Sequence, residues 1–555
     1  MDWLTRSSLA TRLRSPWPPA IMAIILPLIL FGSTEVDDAY ITFGAARSLA
    51  EHGAIWNYNG HPLEQSSSIL HVAVLAALRV LTKASIPWIA LVVGLLGAFA
   101  TVAATHRLGR EVLERHWVFA AWCTATAVPL TYWAVGGLET TMAAASLTCA
   151  VAAFVGLLRV GISRMRLAAA YGAVGAYVAL RPEGVFVALA AVASLVVLWK
   201  IGPRRWNSRD DDTAAPPMRL VAHAVTAIAV PSAALLVLRR LVFDAWVPHP
   251  VSAKAHGIDL QRGVLYSLTT LDRVSTLVLG VLALLAMVAV VRAVRTTNVA
   301  LALVSSVTIA QMSMVLITGG DWMRGGRFLC TVFPLIAVLA ADTLSRLAPR
   351  RDALLATLLI CLNLLGLEAF RRSDSEGTSF GRATSVPDGS QTPDGFPEAM
   401  SRGVRRDLAA LPALTQTVRR LYDALAEPVT VASGQAGVSI YYLTSNSDFE
   451  VRFIDRYGLT DDSFAACDGL LKRSVYGAVI NYDVWFEHET DCAVPKPDVI
   501  FELGRFGDIP AIADEYTLVF QQVGEVETDE SHPSASVSLT QFVAVRNDLV
   551  PRLHD

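Results

Sequence analysis

Between residues 17 and 370 the chain alternates long apolar runs with short polar joints, and beyond residue 371 that pattern stops. The runs fall near 17–33, 69–82, 86–106, 117–135, 139–159, 167–181, 184–199, 220–242, 271–291, 299–318, 327–346 and 353–370. Most approach the ~20 residues a helix needs to cross about 30 Å of hydrocarbon. The shorter runs predict tilted, extended or re-entrant segments. Buried helices of a soluble protein would show similar runs, but they would need a large polar shell that this half lacks.

The joints carry the orientation signal, because short arginine-rich loops stay in the cytoplasm. Arg6, Arg12 and Arg14 precede the first run, and Arg159, Arg164 and Arg166 mark a second inner loop. Lys200, Arg204, Arg205 and Arg209, then Arg292 and Arg295, then Arg346, Arg350 and Arg351 mark three more. This puts the joints at 37–68, 136–139, 181–183, 243–270 and 319–327 outside, with everything after residue 371. With Asp37 outside and the loop Arg107–Arg115 inside, the stretch 69–106 must cross an odd number of times although it holds two apolar runs. Either one run is re-entrant or packed at the surface, or the 107–115 loop is outside, and about eleven crossings is the favoured count. The first run leads into DDAY rather than a small-residue cleavage site, which predicts a retained helix. There is no apolar tail and no lipidation box.

After residue 371 the signals change. Residues 372–400 are rich in Gly, Ser, Pro and Asp and predict a linker or long loop. Residues 401–425 read as an amphipathic helix. VTVASG, GVSIYYL, FEVRFIDRYGL, GAVINYDVW, DVIFELG, TLVFQQVGE and SVSLTQFVAVR then read as short strands. The expectation is a mainly α transmembrane bundle over 1–371 and an extracytoplasmic α/β domain over 401–555.

Composition sharpens this. Only 17% of residues are charged and 53% are hydrophobic, with a mean hydropathy of +0.46. Soluble chains carry about 25% charge. The net charge of -3 offers no case for a nucleic-acid partner.

Candidate chemistry lies in the outer joints. Glu35, Asp37, Asp38 and Tyr40 follow the first run in STEVDDAYITF. Adjacent carboxylates are costly in hydrocarbon, so they predict a site at the membrane surface. ITFGAARSLAEHGAIW then reads as a short amphipathic helix stopped by Gly53. NYNGHPLEQSSSILH supplies His61, Glu64 and Gln65 on a turn-rich loop that suits sugar hydroxyls, or is simply solvated. VGGLETTM offers Glu139. LRPEG offers Arg181 and Glu183, a functional pair or a structural salt bridge. Lys254 and His256 lie in a Pro-punctuated joint beside Trp246 and His249. ITGGDWMRGGRFLCTVFP holds Asp321, Trp322, Arg324 and Arg327 between glycine pairs. Arginines there can clamp a phosphate in bidentate fashion, and Lys254 can meet one as a point charge. Trp322 also suits an interfacial anchor.

Together these groups fit transfer from a lipid phosphate. Lys254, Arg324 or Arg327 would stabilise the departing phosphate. Asp37 or Asp38 would take a proton from an acceptor hydroxyl. The preferred base is Asp37, because Asp38 opens the amphipathic segment and could cap it instead. On this reading the aspartates share one external cavity with Lys254, Arg324 or Arg327. The chain has no Walker A motif, no HExxH and no GxGxxG in a strand–helix unit.

In DDAYITFGAARSLAEHG through NGHPLEQSSSILH, and in GGLET, LRPEG and GGDWMRGGRF, the chain resembles the membrane glycosyltransferases of GT-C fold that use polyprenyl-phosphate sugars. Within them it looks nearest to the arabinofuranosyltransferases of mycobacterial and corynebacterial envelopes, in particular the terminal β-(1→2) group that uses decaprenyl-phosphoryl-arabinose. The resemblance implies a multi-pass plasma-membrane enzyme with an outward-facing site. Its donor would be a polyprenyl-phosphate sugar and its acceptor an envelope glycan such as arabinogalactan or lipoarabinomannan. It also implies a base at Asp37 or Asp38, and donor-phosphate contacts at Lys254, Arg324 and Arg327. His61, Glu64, Gln65, Glu139, Arg181, Glu183, His256, Asp321 and Trp322 would line the substrate site. Relatives use the acidic position to organise a divalent cation in some cases; no second ligand cluster stands out here. A hexose donor such as mannose is the nearest alternative. A lipid-linked sugar transporter is the alternative of another class, though the inverted repeats common in transporters are not visible. Cys467 and Cys492 are either a disulfide or two thiols, while Cys123, Cys149, Cys330 and Cys361 sit in apolar runs.

Overall fold

The computed structural model describes residues 15–32, 35–201, 217–254, 257–296, 298–321, 323–347, 352–376, 402–446, 448–464, 469–474, 477–489, 494–503, 509–523 and 540–553. His256, Trp322, Cys467 and Cys492 lie outside the described residues, as does nearly all of the 372–400 segment.

In chain order the helices are α1 (Trp17–Leu30), α2 (Asp37–His52), α3 (Ile69–Thr82), α4 (Ile86–Val112), α5 (Trp117–Ala125), α6 (Val128–Trp133) and α7 (Thr140–Val160). Then come α8 (Arg164–Leu180), α9 (Gly184–Ile201), α10 (Pro217–Phe243), α11 (His249–Ala253), α12 (Leu260–Thr269) and α13 (Arg273–Thr296). The helical part closes with α14 (Val299–Ile317), α15 (Leu329–Leu347) and α16 (Asp352–Glu376). Seven helices among the described residues are long and apolar enough to cross a membrane, within α4, α7, α10, α13, α14, α15 and α16. α1, α3 and part of α9 are shorter apolar helices. The protein is a multi-span membrane protein. One predicted run is split by local chemistry: 117–135 divides into α5 and α6, with Pro129 in the first turn of α6.

The chain forms two compact units. The first comprises residues up to Gly32, Ala90–Val237 and Gly257–Arg371; the second comprises Ser33–Ile89, Leu238–His256 and Arg372–Asp555.

The first unit is the main bundle. α7 packs on α8, α9 on α14, and α15 on α5, α7, α13 and α14. α15 is central, with 89% of its apolar window buried, whereas only 28% of the α13 window is. Apolar helices this exposed are suited to lipid and not to water. The short helix α12 lies tightly on α14: a Cβ on Gly263 would sit 2.2 Å from the Leu316 carbonyl oxygen, so only glycine fits there.

The second unit gathers α2, α3, α11 and the C-terminal region around one mixed sheet. The strands are β1 (Val429–Ser433), β2 (Val451–Asp455), β3 (Lys472–Ser474), β4 (Gly477–Val479), β5 (Val499–Leu503), β6 (Tyr516–Val523) and β7 (Thr540–Arg546). The five-stranded sheet has the order β2-β1-β5-β7-β6, with β3 and β4 forming a separate ribbon. β1 runs parallel to β2 and β5; β7 runs antiparallel to β5 and β6. α17 (Arg402–Leu425) buries Ala410, Leu414, Val418 and Leu421, a helical stripe, against one sheet face. Ile41 of α2 and Ala253 of α11 belong to that same core. The other face holds Ile454, Phe464, Tyr482, Trp485 and Phe542.

Two of the expected strands are helices. GVSIYYL forms α18 (Val438–Leu443), with all six residues buried. A continuous apolar run of that length has no periodicity to tell strand from helix. GAVINYDVW gives only β4 before turning into α19 (Tyr482–Glu487). α2 stops where the sequence predicts, with Gly53 left-handed (φ 72°) and its amide on the Leu49 carbonyl, but it starts at Asp37, ahead of the expected ITFGAARSL segment. Ala39 to Ala46 are all buried, so the first half of α2 is enclosed by protein.

Candidate active site

In the second unit the two aspartates occupy the first turn of α2, following Val36 in extended conformation. Carboxylates there are stabilised by the helix dipole. Their side chains have different partners. The Val438 amide donates to Asp37 Oδ1 at 2.8 Å. The close approach depends on Gly437, where a Cβ would lie 2.0 Å from Asp37 Oδ1. The Asp38 carboxylate instead lies 3.8 Å from Lys254 Nζ, and both side chains are partly exposed. Lys254 directly follows α11 and closes its turn, donating its amide to the Pro250 carbonyl.

The loop that follows α2 is built into the unit. Asn59 pairs with the backbone of Phe453 in β2: its Nδ2 donates to the Phe453 carbonyl at 2.7 Å and its Oδ1 accepts from the Phe453 amide at 2.7 Å. Glu64 is buried and takes a two-pronged contact from Arg239, Nε to Oε2 at 2.7 Å and Nη2 to Oε1 at 3.1 Å. Burial pushes the Glu64 carboxyl up, while Arg239 opposes that shift. Gln65, also buried, donates to the Ile41 carbonyl. Both therefore serve the loop's architecture. His61 is exposed.

The DRYGLTDDSF segment is a loop folded around two buried carboxyls. Asp455 accepts from the amides of Tyr457, Leu459 and Thr460 and from the Thr460 hydroxyl. Asp461 accepts from the amides of Asp455 and Ser463. Burial first, then the neighbouring Asp455 charge, pushes Asp461 up to about 7.

In the first unit a separate charged cluster is buried. Glu139, at the start of α7, meets Arg181 Nη2 at 3.1 Å and Arg327 Nη2 at 2.9 Å through Oε1. Arg327 Nη1 also lies 3.2 Å from Asp321 Oδ2, and Arg181 Nη1 lies 3.6 Å from Glu183 Oε1. The glycine-rich loop that presents Arg327 has Gly319, Gly320, Gly325 and Gly326 all at positive φ, which side chains rarely adopt. The amides of Gly325 and Gly326 donate to Thr270, the Phe328 amide to the Tyr266 hydroxyl, and the Trp133 indole to the Gly325 carbonyl. The Arg324 guanidinium lies 5.5 Å over the Phe370 ring. A small apolar cavity of about 50 Å³ in this unit is lined by Leu147, Phe154, Val174, Tyr177 and their neighbours, with no charged group among them.

The structure thus brings Asp38 and Lys254 together in one unit, and Glu139, Arg181, Glu183, Asp321 and Arg327 together in the other. Sequence reasoning passed over Arg239, Asn59 and the Gly437–Val438 pair. An arginine pair closing an apolar helix, Arg239–Arg240, was a usable signal for Arg239. Nothing local could have pointed to Gly437. Among the described residues no group of three or more His, Cys, Asp or Glu side chains is placed to hold a metal.

No family model and no curated protein matches the chain. Solved structures do. ArnT from Cupriavidus metallidurans bound to undecaprenyl phosphate has a TM-score of 0.50 at 14% identity, over 97% of this chain and 98% of that one. The same protein in the apo state has a TM-score of 0.53 at 12% identity, over 95% and 96%. The archaeal oligosaccharyltransferase AglB from Archaeoglobus fulgidus, in complex with an inhibitory peptide and a dolichol-phosphate, has a TM-score of 0.53 at 10% identity, over 91% of this chain and 73% of that one. The likeness shows the fold alone, which this chain shares with ArnT and AglB along most of its length.

Proposed function

We propose that the protein is a membrane glycosyltransferase that takes its sugar from a polyprenyl phosphate, with arabinofuranose on decaprenyl phosphate as the donor and a hydroxyl of an envelope glycan as the acceptor. The reaction is a single displacement at the extracytoplasmic face. A carboxylate removes the acceptor proton, the freed oxygen attacks the anomeric carbon, and the carbon–oxygen bond to phosphate breaks with its electron pair leaving on the phosphate. Within the second unit, Lys254 is assigned to the donor phosphate and His61 to the substrate region.

The observation that carries this reading is the Asp38–Lys254 pair at the first turn of α2. It places an acceptor of protons beside a compact cation, the two charges that transfer from a phosphate requires. The fold supports the donor class, since ArnT and AglB were each solved with a polyprenyl phosphate or dolichol-phosphate. The division of labour between the aspartates is better drawn with Asp38 as base. Asp37 is engaged by the Val438 amide, which makes it the group that fixes the turn.

The test is a donor panel. Purified protein is given decaprenyl-phosphate arabinofuranose, other pentoses and hexoses, and transfer to an arabinose-containing oligosaccharide is scored. Transfer of arabinofuranose alone is expected. Selective transfer of mannose replaces the sugar assignment; no transfer from any lipid phosphate overturns the reading.

A further inference from the structure

Lys254 is assigned to a phosphate, and it directly follows a helix of only five residues, α11. Something must hold that turn. Pro248 and Pro250 stiffen it, and His249 anchors it from two directions. The His249 amide donates to the Glu64 carbonyl at 3.2 Å. Its ring Nε2 lies 2.8 Å from the Gly458 carbonyl oxygen and 3.2 Å from that of Asp461. Carbonyls only accept, so Nε2 carries the hydrogen. Both acceptors belong to the loop wound around the buried Asp455 and Asp461 carboxyls, whose contacts to Tyr457, Leu459, Thr460 and Ser463 fix it. On the other side, Glu64 is gripped by Arg239.

We propose that His249 is a positioning residue: by donating its Nε2 hydrogen to the Gly458 and Asp461 carbonyls, it locks α11 so that Lys254 faces Asp38 and the donor phosphate. The proposal rests on the donor-phosphate role given to Lys254 above. It gives the DRYGLTDDSF loop a purpose as the buttress of a cation that lies over two hundred residues earlier (His249 and Gly458 are 209 apart).

The test uses the full-length protein in detergent, titrated with decaprenyl phosphate and followed by tryptophan fluorescence. His249→Met fills similar space without an N–H. It should weaken binding about tenfold, the scale of one or two neutral hydrogen bonds. His249→Gln places an amide N–H near the position of Nε2 and should restore wild-type affinity. In a Lys254→Ala background, His249→Met should add less than about twofold, because coupled residues are not additive. If His249→Met misfolds, His249→Asn, which stops short of both carbonyls, takes its place with the same expectation. Wild-type affinity in the Met variant, or effects that multiply with Lys254→Ala, overturns the proposal alone. Wild-type protein that ignores decaprenyl phosphate, or Lys254→Ala that binds it normally, overturns the donor-site reading as well.

Discussion

Asp37 and Asp38 are neighbours in sequence with different surroundings, and three expected outcomes follow at this scale. Asp38→Asn keeps shape but loses basicity, so turnover should fall by at least about two decades, within the range of general-base catalysis, while decaprenyl phosphate affinity stays near wild type. Asp37→Asn still accepts the Val438 amide and should cost far less; steady-state kinetics on both variants decides, and a dead Asp37→Asn with an active Asp38→Asn reverses the assignment. Arg327→Ala removes the arginine that Asp321 and Glu139 share in a buried cluster, leaving Glu139 to Arg181. Loss of one partner of a buried ion pair costs about 3–5 kcal/mol, so a clear fall in melting temperature should accompany any loss of donor use. Asp461 supplies a pH test. Its folded pKa of about 7 lies above the unfolded value of 3.8. Its contribution is therefore fully present below about 4 and lost as pH rises through 7. Thermal stability of the wild type minus that of Asp461→Asn should fall across this window; a flat difference rejects the assignment. At this scale the sequence was a partial guide. It flagged Asp37, Asp38 and Lys254 because charge is conspicuous beside apolar runs. It could not say which aspartate met which partner, because the Val438 amide lies 401 residues away.

Among the elements, α2 and α17 were legible because periodicity marks both and a glycine stops α2. α18 was not: six buried residues, five of them apolar or aromatic, look alike in strand and helix. The misreading matters, since it is the entry into α18 that presents the Val438 amide to Asp37 and places Gly437 beneath it. Gly437→Ala should force the Asp37 carboxylate out of place, because the added Cβ would sit 2.0 Å from Oδ1. Turnover should drop about tenfold or more, the size of a lost charge-assisted hydrogen bond, with the sheet domain still folded by circular dichroism. An unchanged rate would show that Asp37 tolerates displacement. The span count was harder to read for a similar reason. α1, α3 and α9 are apolar but short, and length alone does not separate a tilted span from a packed helix.

For the molecule as a whole, the membrane class could be seen in composition and the C-terminal sheet in its short strand patterns, but the grouping of segments could not. The second unit draws its core from α2, α11 and the C-terminal region together. A fragment spanning 401–555 lacks Ile41 and Ala253 and should expose that face of α17 and the sheet. It should give a poorly dispersed amide spectrum, and coexpression with the full membrane part should be needed to order it. A well-dispersed spectrum from the fragment would show that the sheet is self-sufficient. The same discontinuity has a meaning for how the protein is made. At about 5–20 residues per second the ribosome needs roughly 20–80 s to travel from Asp37 to Val438. For all that time the acidic turn is already synthesised while its anchor does not yet exist. On the proposed function an unfinished chain holds an unset trigger, since the amide that fixes Asp37 arrives only with residue 438.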